Sequence, residues 1–161
     1  MEDNLTNETQ IFSFPGYSFY LLPKFRKIAS GILVGVKNSL IANFDMYKQL
    51  GESEDKSKIV RIDVWKEYHH YKIYALYPAC KSNLSVLTVE QKTVVIRGMK
   101  SHSLRWGYDD SDASGREFKD LLNSSSLEII FDASDPPIYL HYNGSDSNPD
   151  LLSVSSDLRD Y

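Results

Sequence analysis

Four basic side chains, Lys92, Arg97, Lys100 and Arg105, fall within residues 91–107 with no acidic residue among them. Ammonium and guanidinium groups in such a run can grip phosphate. Residues 108–161 reverse the balance, with three basic side chains against twelve acidic ones. That acidic run reads either as a solvated surface or as a carboxylate shell for a divalent cation such as Mg²⁺. His102, close to Trp106, is either a hydrogen-bonding loop residue or a proton-transfer group. Tyr77, just before Pro78, is either a packing aromatic at a strand end or a ligand-facing hydroxyl. His69–His70 reads as turn polarity. Cys80 is the single cysteine, so no intramolecular disulfide forms, and no Cys/His spacing suits zinc.

The scaffold that must hold these groups is modest. The chain has 161 residues, 42% of them hydrophobic, which suits one domain spanning residues 1–161. Its formal net charge of −4 argues against a generic polyanion binder, which is usually basic. The opening Met1–Gln10 is polar and acidic and lacks an export signal, and no apolar run is long enough to span a membrane. The expected location is therefore intracellular, cytoplasmic or nuclear, with no secretion. The Asn-x-Ser/Thr triplets at Asn4, Asn7, Asn83, Asn123 and Asn143 are then chance matches rather than glycosylation sites.

Period-two patterning and turn residues predict strands over Tyr17–Leu22, Gly31–Lys37, Ile59–Trp65, Tyr71–Tyr77, Thr93–Ile96 and Leu127–Phe131, with a last one over Asp150–Val154. The β-branched run of Gly31–Lys37 reads as a strand buried on both faces. Ile59–Trp65 and Tyr71–Tyr77 read as a hairpin turning at His69–His70. Val86–Thr93 fits either a short helix or an extended connector. Phe118, Leu121 and Leu122 share one face of a helix near Arg116–Leu122, with Ser114 as its N-cap. Buried strands with an intervening helix predict an α/β sandwich with mixed sheets.

With those elements in place, residues 97–115 resemble a segment of the endonuclease–exonuclease–phosphatase superfamily, in the apurinic-type endonucleases of non-LTR retrotransposons. There a strand ends in Gly-Asp-Phe-Asn, followed by a Ser-His-His-like pair, a Trp-Gly and a glycine that opens a helix. Here Val94–Ile96, His102, Trp106–Gly107 and Gly115 keep that frame. Phe14–Pro15–Gly16–Tyr17 is similar to the Pro-Gly-Tyr that follows the family's Gln-Glu-Thr, and Gly31–Lys37 to its Gly-Gly-hydrophobic strand. Ile73–Tyr77–Pro78 is similar to its strand ending in Tyr-x-Pro-Pro. Asn148–Pro149–Asp150–Leu151 with Val154–Ser155–Ser156 is similar to its late Asp-Leu-x-x-Val-Ser strand.

The resemblance implies a partial four-layer α/β sandwich of the DNase I-like type, truncated at both ends. It implies an ancestral Mg²⁺-dependent hydrolysis of DNA phosphodiesters. Glu2 takes the metal-binding position, Tyr77 that of the active-site tyrosine and Asp150 that of a late supporting carboxylate. Gly98 and Lys100 occupy the Asp and Asn positions of Gly-Asp-Phe-Asn, and the terminal His motif falls beyond Tyr161. Lys100, His102 and Arg105 are the candidate nucleic-acid contacts. The expected function is a degenerate endonuclease-like domain with its activity lost and its Mg²⁺ site in doubt. The alternative is a non-catalytic nucleic-acid or protein interaction module on the same fold, with Lys92 and Arg97 joining Lys100 and Arg105 against phosphate. An unrelated β-rich interaction domain is a third reading. Missing edge strands would leave the domain marginally stable and prone to self-associate.

Overall fold

The computed structural model describes residues 13–22, 32–48, 58–77, 84–97, 102–130, 139–140, 146–147 and 150–159. Strand β1 (Tyr17–Leu22) pairs antiparallel with β2 (Ile32–Lys37) in a two-stranded sheet running from Tyr17 opposite Lys37 to Leu22 opposite Ile32. Gly35 faces Phe19, whose ring lies 2.9 Å from where a Cβ would stand, so the missing side chain makes room for the aromatic. The β2 run was expected to be buried on both faces. Only Val36 of that strand is buried, because a two-stranded sheet has a single sheltered face.

The main sheet is built from β3 (Ile41–Lys48), β4 (Lys58–Lys66), β5 (His69–Tyr77), β6 (Thr93–Arg97), β7 (Leu127–Ile130) and β10 (Leu151–Ser155). Their spatial order is β3-β4-β5-β6-β10-β7, and the one parallel pairing is β5 with β6. Two short strands, β8 (Tyr139–Leu140) and β9 (Asp146–Ser147), pair with each other. Strand β3 was not anticipated, since Asn43, Asp45 and Lys48 blur its hydrophobic alternation.

The β4–β5 hairpin turns at Glu67–Tyr68, one step earlier than expected. Lys66 pairs with His69 across a two-residue turn, and Glu67 takes a left-handed φ of 56°. His69 and His70 are therefore strand residues. His70 Nε2 lies 2.8 Å from the buried Asp63 carboxylate, which also accepts from Arg61 Nε at 3.0 Å, and the imidazole stacks on Trp65. Between β5 and β6 the chain makes a 3₁₀ turn at Leu84–Val86 rather than the helix entertained over Val86–Thr93. β7 ends at Ile130, and Phe131, expected to close it, lies outside the described residues, as does Gly31.

Among the described residues one α-helix, α1 (Ala113–Ser124), packs on the main sheet. Its N-cap is Asp112 rather than Ser114: the Asp112 carboxylate accepts the Gly115 N–H at 2.6 Å. A carboxylate at that position also suits the positive end of the helix dipole. Phe118 and Leu122 bury against the sheet as the helical spacing requires.

Strand alternation divides the core in two. Ile59, Tyr74, Leu76, Val95, Leu127 and Leu151 meet Trp106, Phe118 and Leu122 on the helix face. Val60, Ile62 and Val64 meet Leu22 and Val36 of the small sheet on the opposite face. The described residues thus supply three layers (small sheet, main sheet, helix) of the expected four-layer sandwich, an α+β arrangement on a mixed sheet.

Candidate functional site

Register places the predicted residues at one end of the main sheet. Leu76, Arg97 and Leu151 stand in one row across β5, β6 and β10. Tyr77 closes β5 and Asp150 precedes β10, each one residue past that row, so their backbones lie roughly 10 Å apart across β6. Tyr77 is half-buried and Asp150 is exposed. Glu2, Gly98 and Lys100 lie outside the described residues.

The segment that follows β6 forms a tightly pinned loop. Ser103 caps a 3₁₀ turn at Leu104–Trp106, its hydroxyl accepting the Arg105 N–H at 3.2 Å. Gly107 ends the turn at a φ of 89°, a left-handed conformation that glycine adopts freely. Trp106 drops into the core and meets Phe118 edge-on, with ring centroids 6.0 Å apart. Gly115 is needed for a close approach: a Cβ there would stand 1.8 Å from the His102 carbonyl oxygen. That carbonyl also accepts the Asp112 N–H at 3.1 Å. The Trp-Gly and helix-opening glycine of the motif are thus positioning features, and what they position is His102.

The His102 imidazole lies flat on Tyr108, 4.4 Å between centroids, with Nδ1 2.9 Å from Asp110 Oδ1. This His–carboxylate pair is the chemically competent unit of the loop, since the acid orients the ring. Asp110 was not singled out in the sequence; its place eight residues beyond His102 in an acidic run gave no periodic signal. Arg105 is exposed, its Nη1 3.5 Å from Asn123 Oδ1.

Two of the proposed phosphate grips are otherwise engaged. Arg97 is completely buried on the helix face, with its guanidinium 4.8 Å above the Phe118 ring and hydrogen-bonded to the Ser114 hydroxyl and carbonyl. Burial pulls its pKa down to about 10 while Glu117 and Asp112 pull the other way, so it stays charged at neutral pH. Strand alternation is the reason: Arg97 shares the inward side of β6 with Thr93 and Val95. Lys92 sits 3.7 Å from the Asp157 carboxylate, which also accepts the Lys92 N–H at 3.1 Å.

Mg²⁺ would need carboxylate oxygens converging on one point. Among the described residues no three His, Cys, Asp or Glu side chains do so. At this end of the sheet Asp110 is committed to His102, Asp112 to the helix N-terminus, and Asp150 stands by itself as the remaining predicted carboxylate. The described donors therefore do not fit a Mg²⁺ site. A cleft of about 250 Å³ lined by Ser18, Tyr20, Lys37, Asn38 and Ala42 lies by the start of β3, at the sheet's opposite end. No helix among the described residues is long and apolar enough to cross a membrane.

No protein-family model matches the chain, and no curated protein matches it. Its structure, however, superposes on the endonuclease domain of TRAS1, a telomere-specific non-LTR retrotransposon, with a TM-score of 0.66 and 16% sequence identity. The match covers 91% of this chain and 70% of that one. The chain therefore has the fold of a retrotransposon endonuclease domain, the DNase I-like sandwich that its scattered motifs resembled.

Proposed function

We propose that this chain is a degenerate copy of a non-LTR retrotransposon endonuclease domain, descended from a metal-dependent DNA phosphodiesterase and without DNA-cleaving activity of its own. The observation that carries this reading is the residue content at the end of β6. Arg97 is folded into the core there, and the next positions read Gly98 and Lys100 where the resembled motif has Asp and Asn. Glycine supplies no carboxylate to orient water or leaving group. Lysine offers donors but no acceptor, so it cannot copy an amide. Phosphoryl-transfer sites work by positioning several charged groups at once, and loss of one such group commonly costs on the order of a hundredfold to a thousandfold in rate.

Binding of nucleic acid without cleavage is the second reading. One observation favours it: the His102–Asp110 pair and Arg105 stay at the surface of the loop after β6. The engagement of Arg97 and Lys92 weighs against it. A supercoiled-plasmid nicking assay with Mg²⁺ and with EDTA tests the main proposal, and no metal-dependent nicking is expected. Mg²⁺-dependent nicking that Asp150→Ala or Glu2→Ala abolishes would overturn it.

A further inference from the structure

We draw no further inference here: the strongest candidate, the Arg61–Asp63–His70 cluster with Trp65 stacked on the imidazole near the turn of the β4–β5 hairpin, on the helix side of the main sheet, carries nothing, because its charged groups pair with one another and nothing in the structure shows what covers that face.

Discussion

The two faces of the main sheet solve the same packing problem with different chemistry. Toward the small sheet, Val60, Ile62 and Val64 meet Leu22 and Val36 with no polar partner among the buried residues. Toward the helix, the core also encloses Arg97, Thr93, Ser114, Ser153 and Ser155. Aliphatic packing tolerates small shifts, whereas hydrogen bonds demand register. The Thr93 N–H donates to Ser155 Oγ at 3.0 Å and Arg97 reaches Ser114, so β6 is tied to both β10 and α1. The polar face therefore sets where the helix, and through it the His102 loop, sits. The apolar face supplies burial and little direction.

Large-to-small substitutions give the widest separation of the two faces. Phe118→Ala removes a ring that touches Trp106 and supports the Arg97 guanidinium, and should cost about 4 kcal/mol in urea unfolding. Ile62→Ala on the other face should cost about 2–3 kcal/mol, because fewer specific contacts depend on it. Equal losses would break the distinction.

Adding one methyl to glycine sharpens it. Gly115→Ala drives a Cβ into the His102 backbone, which cannot swing aside, and should destabilise by about 3 kcal/mol while loosening the loop. At Gly35 the obstacle is the Phe19 ring, a side chain rather than backbone, so Gly35→Ala should cost less, about 1 kcal/mol. The readouts are urea midpoints for both variants and proteolysis of the 102–112 loop.

The buried arginine tests whether polarity on the helix face serves stability or position. Arg97 Nε and Nη1 find no hydrogen-bond partner among the described residues, so the charge is incompletely compensated there. Replacing a buried ion by an apolar residue of similar volume is often neutral or favourable. Arg97→Met should therefore stay within about 1 kcal/mol of wild type, whereas Arg97→Ala, which leaves a cavity above Phe118, should lose about 3 kcal/mol. A loss from Arg97→Met as large as from Arg97→Ala would show that the guanidinium itself stabilises the core.

Arg97 also marks where the sequence was legible and where it was not. β1 was anticipated to the residue, and β4, β6 and the Phe118–Leu122 face of α1 to within a few, because period-two and helical spacing follow directly from burial. The endonuclease fold was legible through short motifs in order. The motifs did not disclose which basic residue turns inward, since in the sequence Arg97 groups with Lys92, Lys100 and Arg105 as a phosphate-facing residue. Its strand parity held the signal: it alternates with Ile96 and shares a side with Val95. The His69–His70 turn misled because two adjacent histidines look like loop polarity, while the buried Asp63 that gives His70 a partner lies on the neighbouring strand. The same holds for Asp110 beside His102. Partnerships across space leave no trace in local spacing.

The smallest expected effect concerns the clamp at the start of β6. Lys92 holds a left-handed φ of 54°, which costs a non-glycine residue free energy, and its N–H is gripped by both oxygens of Asp157 at 3.1 Å. Hydrogen bonding from Ser155 is the largest influence holding the Asp157 carboxyl below its ordinary value; desolvation pushes the other way, and the Lys92 backbone N–H adds to the lowering. A carboxyl lowered in the native state stabilises the fold fully above its unfolded pKa of about 3.9. As pH falls below that value the unfolded chain takes up the proton first, so the contribution drains away until the native pKa is passed. Asp157→Asn should thus cost at most about 1 kcal/mol at pH 7, since the group is largely solvated, and should flatten the loss of stability between pH 5 and 3. Urea midpoints of wild type and Asp157→Asn at pH 7, 5, 4 and 3 measure it. Parallel curves would show that the clamp acts through its hydrogen-bond geometry alone and not through its charge.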